Sequence, residues 1–191
     1  MKNRLNVKAL WLIVLFMILI PKPSLSQDLF FGGGISLPSN PSSFSDTYKT
    51  GANFEIGYLW GASTFDNTAF ELGFSYDTFG LSIPEGSDVS GGRLALINVK
   101  FGARYFLGDP EVGKSNFYLA AGYGRYTMSV DNLKSPNFTV EFEEQQGNSL
   151  NFGIGVIMPN NYFTNFDLRY KTIYTSGEHN LSFLALRLIL M

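Results

Sequence analysis

Nine charged residues stand alone within otherwise apolar, alternating stretches. Glu55, Glu71, Asp77 and Asp167 are acidic, and Lys100, Arg104, Arg169, Lys171 and Arg187 are basic. Four negatives against five positives is a near balance that a face in water does not need. An enclosed space does need it, because an unpaired buried charge costs several kcal/mol. Charges so placed could do two things: lock one another as buried ion pairs, or exchange partners and gate a narrow ion path. Folding the last hairpin about Gly177 would set Asp167 opposite Arg187, and pairing the strands around Glu71 and Arg104 would bring those two together.

Other chemistry is sparse. The one histidine, His179, lies beside Glu178 and near Ser176 and Ser182. A Ser, a His and an acid could make a hydrolase or acyltransferase, but proximity on one hairpin does not supply nucleophile–base geometry, and a polar turn is the simpler reading. Glu141, Glu143 and Glu144 with Asp131 could hold Ca²⁺, against the plainer reading of solvated loop charge. Gly32-Gly33-Gly34 is no phosphate loop, since no Lys-Ser/Thr or helix follows. The absence of Cys excludes a disulfide scaffold, a thiolate metal site and a thiol nucleophile. A net charge of -2 gives no electrostatic case for a nucleic-acid partner. The expectation is no catalytic site, no cofactor and no metal.

The elements that must position the nine charges are strands. Phe54, Ile56, Tyr58 and Trp60 alternate with Asn53, Glu55, Gly57 and Leu59, and Phe70, Leu72, Phe74 and Tyr76 with Glu71, Gly73, Ser75 and Asp77. The same period of two runs through Ala95–Leu107, Phe117–Gly124, Ser149–Met158 and Phe166–Tyr174, and less cleanly through Asp28–Leu37 and Leu181–Met191. That predicts eight strands with no helix between them. Residues 38–51, 80–92 and 130–147 are long polar connections, 61–68, 108–115 and 159–164 are shorter, and Ser176-Gly177-Glu178 is tight. Long connections on one side and short ones on the other describe an up-and-down meander.

Residues 1–26 stand apart. Lys2, Arg4 and Lys8 precede an apolar run from Ala9 to Ile20, Pro21 breaks it, and Ser24-Leu25-Ser26 offers a cleavage site. That is the pattern of a cleaved secretory signal peptide, and the run is too short for a spanning helix. Removing it leaves a domain of residues 27–191 with ten of the 14 basic residues and all 16 acidic ones, a charge of −6.

An eight-stranded meander is either a soluble calyx with its apolar face inside or a membrane barrel with its apolar face outside. The polar face here carries Gly57, Gly73, Gly102, Gly122, Gly124, Gly153 and Gly155. Glycine weakens a strand, but it suits the cramped interior of a narrow barrel. Aromatic residues fall toward both strand ends, with Trp60, Phe70, Tyr105, Phe117 and Phe166 near the short turns and Phe54, Tyr76, Tyr123, Phe152 and Tyr174 toward the long loops. Two such girdles belong where a barrel crosses both headgroup regions. The expected architecture is an all-β, eight-stranded antiparallel up-and-down transmembrane β-barrel, with the nine charges as a network in its lumen.

From Asp28-Leu-Phe-Phe-Gly-Gly-Gly-Ile to Leu184-Ala-Leu-Arg-Leu-Ile-Leu-Met, the chain resembles the small outer-membrane β-barrel family of Gram-negative bacteria, the group typified by the barrel domain of outer-membrane protein A in the porin-like superfamily. It departs from that family in ending on Met191 rather than an aromatic residue. No peptidoglycan-binding domain follows the strands, so no cell-wall tether through one is expected. The resemblance implies a location in the cell outer membrane, insertion by the barrel assembly machinery, contact with outer-membrane lipid and lipopolysaccharide, and long loops facing outward. A structural or surface-interaction role is the leading expectation; a narrow ion or small-solute pore and a lipid-modifying enzyme are the alternatives.

Overall fold

The computed structural model describes residues 28–61, 67–83, 86–108, 114–158, 165–175 and 180–190. The expected signal peptide at 1–26, most of the three short connections, the turn at 176–178, His179, Glu85 and Met191 lie outside them.

Eight strands close into one barrel: β1 (Asp28–Asn40), β2 (Gly51–Gly61), β3 (Thr68–Phe79), β4 (Leu94–Phe106), β5 (Asn116–Val130), β8 (Gln145–Ile157), β9 (Asn165–Tyr174) and β10 (Leu181–Leu190). A separate hairpin, β6 (Leu133–Ser135) with β7 (Phe138–Val140), stands in the longest loop. Each barrel strand pairs antiparallel with its neighbours, and β1 closes against β10 with Gly34 opposite Arg187. Closure leaves the barrel no open edge.

The strands form because the period-two rows have somewhere to go on both faces. The outward row of β4 runs Ile97, Val99, Phe101, Tyr105, each at least 40% exposed; Phe74, Leu119, Ile154, Leu168 and Leu188 continue it around the barrel. An outward row of this kind has no place in water. From Ile97 to Leu107 the chain rises about 33 Å along the strand, which at a tilt of about 40° covers the roughly 25 Å apolar band of an outer-membrane barrel. Among the described residues no helix is long and apolar enough to cross a membrane. On the outer face of β2–β4, Trp60 lies 6.0 Å from the rings of Tyr58, Phe70 and Phe101. The expected short-turn girdle therefore extends along the wall to Phe101.

Two expectations need correction at the long-loop end. A six-residue helix, α1 (Ser42–Thr47), interrupts the expected all-strand order. It begins on the Pro41 carbonyl, which accepts from Phe44 N–H at 2.9 Å, and it buries Phe44, its only large apolar side chain. One apolar residue in a single turn leaves no helical period to read. The stretch 130–147 is also less loop than expected, because β5 runs on to Val130 and β8 starts at Gln145. Beyond the outward Arg125 the pairs are Thr127 with Gln146 and Met128 with Gln145. Outside a lipid band the outer row no longer has to be apolar, so the alternation fades while the backbone ladder continues.

Candidate functional site

The lumen is filled in three layers. At the short-turn end Phe30, Leu59, Ala69, Phe106, Tyr118, Ala120 and Ile189 pack together. At the long-loop end Phe79, Leu94, Leu96, Tyr126, Ile173, Phe183 and Ala185 do the same around Phe44 of α1. Between them sit all nine expected charges, none more than 2% exposed.

Six of the nine form a closed ring of alternating sign. Lys100 Nζ meets Glu55 at 2.8 Å and Glu71 at 3.1 Å. Arg169 continues from Glu71 at 2.9 Å to Asp167 at 2.9 Å. Arg187 then pairs with Asp167 on one side and with Glu55 on the other, closing the circle. The ring is neutral, with three carboxylates and three cations, and it draws on β2, β3, β4, β9 and β10. Lys171 and Asp77 form a separate neutral pair at 2.7 Å, with Ser36 donating to the same carboxylate at 2.8 Å. Each carboxylate thus has at least two charged or hydrogen-bonding partners, the condition under which buried charge is tolerated.

Arg104 is the ninth charge and the odd cation. Its Nε donates to Glu71 at 2.7 Å, and its guanidinium lies 4.8 Å from the Phe30 ring centroid and 4.9 Å from that of Tyr118. Aromatic faces partly compensate a cation that has no second carboxylate among the described residues. Both sequence-derived pairs are therefore in contact, Asp167 with Arg187 as direct cross-strand neighbours and Glu71 with Arg104.

Residue spacing had not assigned several supporting groups. Tyr118 donates to Asp167 at 2.8 Å, Asn151 accepts from Arg169 at 2.9 Å, and Asn98 and Ser149 are hydrogen-bonded at 3.0 Å. Their inward positions in the alternation were the available signal; their partners were not, because they come from other strands. Among the described residues no group of three or more His, Cys, Asp or Glu could hold a metal ion, and Asp131, Glu141, Glu143 and Glu144 are exposed.

The inner glycines have a steric cause. A Cβ on Gly155 would run into the ring and hydroxyl of Tyr118, one on Gly153 into Arg169, and one on Gly57 into Phe30. Gly155→Ala is expected to destabilise the barrel by about 1–3 kcal/mol through overpacking, read as a lower urea midpoint. In a Tyr118→Ala background the same change should cost almost nothing further, since the two share one space.

No protein-family model matches the chain, and no curated protein does either. Solved structures do. Ail, the attachment invasion locus protein of Yersinia pestis, aligns over 86% of this chain and 97% of its own, with a TM-score of 0.51 and 14% identity. The same protein in complex with the heparin analogue sucrose octasulfate aligns over 87% of this chain and 100% of its own, at 0.54 and 13%. Neisserial surface protein A aligns over 87% and 99%, at 0.49 and 10%. Identities this low speak to architecture and nothing finer. The chain has the fold of the small eight-stranded outer-membrane β-barrels that its sequence resembles.

Proposed function

We propose that the chain is an integral outer-membrane protein whose filled barrel is an anchor and whose outer loops make contacts at the cell surface. The observation that carries this reading is the sealed lumen within an apolar wall. A neutral six-membered charge ring and a separate ion pair lie between two hydrophobic layers, and Phe44 blocks the mouth. Ions would have to cross both layers and break buried ion pairs, so the anchor reading is favoured over a narrow pore. Eight strands leave an interior filled by side chains rather than by a channel.

The rest of the reading follows from that placement. Residues 1–26 direct export and are removed, the barrel assembly machinery inserts residues 27–191, and outer-membrane lipid and lipopolysaccharide surround the wall. The nine lumen charges serve stability and strand register, and no reaction is assigned to the chain. The described outer loops carry six acids (Asp46, Asp88, Asp131, Glu141, Glu143, Glu144) against Lys49, Arg93 and Lys134. A sulfated polyanion of the kind bound to Ail in its complex would be repelled by that rim, so the surface contact assigned here is with a neutral or basic partner.

The test joins fractionation to electrophysiology. The chain should enter the outer-membrane fraction, change gel mobility on boiling, and give no steady conductance steps in a planar bilayer. Recovery as a soluble periplasmic protein would refute the anchor, and steady steps abolished by Lys100→Met would replace it with the pore.

A further inference from the structure

Outside the barrel, the hairpin β6–β7 is the one described sheet that closure leaves with an open side. Its inner strand is already committed: Lys134 N–H donates to Ser90 O at 2.8 Å and its carbonyl accepts from Ser90 N–H at 2.8 Å. Because the backbone polar groups of Lys134 point toward Ser90, its pairing with Thr139 is of the non-hydrogen-bonded kind. The N–H and C=O of Thr139 therefore point the other way, off the free edge of β7. Among the described residues, no strand pairs with that edge.

Side chains of alternating character run along that edge and on past its end at Val140. Phe138, Val140 and Phe142 occupy alternate positions and are 51%, 39% and 44% exposed. Thr139, Glu141 and Glu143 occupy the positions between, followed by Glu144. Exposed edges are usually blunted by Pro, Lys or an inward charge; this one has none of these in β7. From Thr127, which pairs with the outward Ile97 at the end of the apolar row of β4, the strand runs on to Val130 and adds about 10 Å before the hairpin. Glu141, Glu143 and Glu144, which follow directly on β7, place like charges at its end and oppose pairing with a second copy of the same strand.

We propose that β7 is a docking edge for an extended polypeptide segment of alternating apolar and basic residues, added as a third strand. The partner exchanges two backbone hydrogen bonds with Thr139. Its apolar row covers Phe138, Val140 and Phe142, and its basic row meets Glu141 and Glu143. This is strand addition, in which backbone bonds give affinity and alternate side chains give specificity. The inference rests on the surface-contact reading and names the chemistry of the partner.

The test uses the full barrel in lipid nanodiscs and a fluorescent ten-residue peptide alternating Val and Lys, followed by anisotropy. The alternating peptide should bind at least tenfold more tightly than a peptide with the same residues in two blocks. It should also outbind, by the same margin, an alternating peptide N-methylated at every second amide. Thr139→Pro removes only the outward donor, leaves the bonds to β6 and the heat-shifted gel band intact, and should weaken binding at least tenfold. Glu141→Lys with Glu143→Lys should switch the preference to a Val/Glu peptide. Equal binding of the N-methylated peptide, or no effect of Thr139→Pro, would overturn the proposal. So would hairpin-dependent binding to lipopolysaccharide vesicles without peptide binding, which would assign Phe138, Val140 and Phe142 to the membrane instead. The wider reading is judged separately: cells bearing the chain should adhere to protein-coated surfaces more than cells lacking it, and adherence surviving Thr139→Pro would remove the docking edge alone.

Discussion

Glu71→Gln is expected to lower the unfolding free energy by about 3–5 kcal/mol, the loss seen when one member of a buried charge pair is removed. Glu71 is fully buried and meets Lys100, Arg104 and Arg169 at 3.1, 2.7 and 2.9 Å. Glutamine keeps the shape but leaves three cations around a neutral amide and opens the charge ring at its most connected carboxylate. A urea titration in detergent, scored by the heat-shifted gel band, measures it. Adding Arg104→Met should recover part of the loss, because among the described residues Glu71 is the only carboxylate that Arg104 contacts. Adding Arg169→Met should recover less, because it strips a partner from Asp167 as well. A loss under about 1 kcal/mol would mean that the lumen is wet enough to solvate the stranded cations, and the sealed-plug account would fall with it.

Phe79→Ala should cost a similar amount, about 3–5 kcal/mol, the usual cost of truncating a buried aromatic residue. Phe79 is fully buried and sits edge-on between Phe44 of α1 at 5.4 Å and Phe183 of β10 at 5.2 Å. The change therefore has a second, local readout. Without Phe79, Phe44 loses the ring it rests on, and protease should cut within residues 41–48 faster than in the parent while the barrel below stays resistant. Phe79→Leu refills most of the space and should restore both stability and protection. If α1 keeps its parental protection in Phe79→Ala, the mouth is closed by something other than this aromatic contact.

Both expectations trace to features of unequal legibility. The identity of the nine charged positions was open to reading because the period of two is a local property. Each charge is flanked by residues of the opposite face, so its side of the strand follows from its immediate neighbours. The pairing of Asp167 with Arg187 was also within reach, because one tight turn sets the register of one hairpin. Other links were not. Arg169 reaches Glu71 across the lumen from β9 to β3, Lys100 on β4 passes over β3 to reach Glu55 on β2, and Arg187 on β10 passes over β1 to reach the same residue. Such links join strands that do not touch, and no turn sets their distance.

The same division separates the rest of the molecule. Composition and alternation, acting over two or three residues, determined the eight barrel strands, the inward glycines and the outward apolar rows, but not the short β6–β7 hairpin. Tertiary structure decided which charges share a ring, because barrel closure is a long-range constraint that brings β1 against β10. It decided that Phe44 turns back into the mouth, because the partners that bury it come from β3, β4, β5, β9 and β10. It also decided which way Thr139 points, because the bonds between Lys134 and Ser90 fix the orientation of β6 and through it the free edge of β7. A residue's face is set by its neighbours in the chain; its partner is set by which distant strands the closed wall brings within reach.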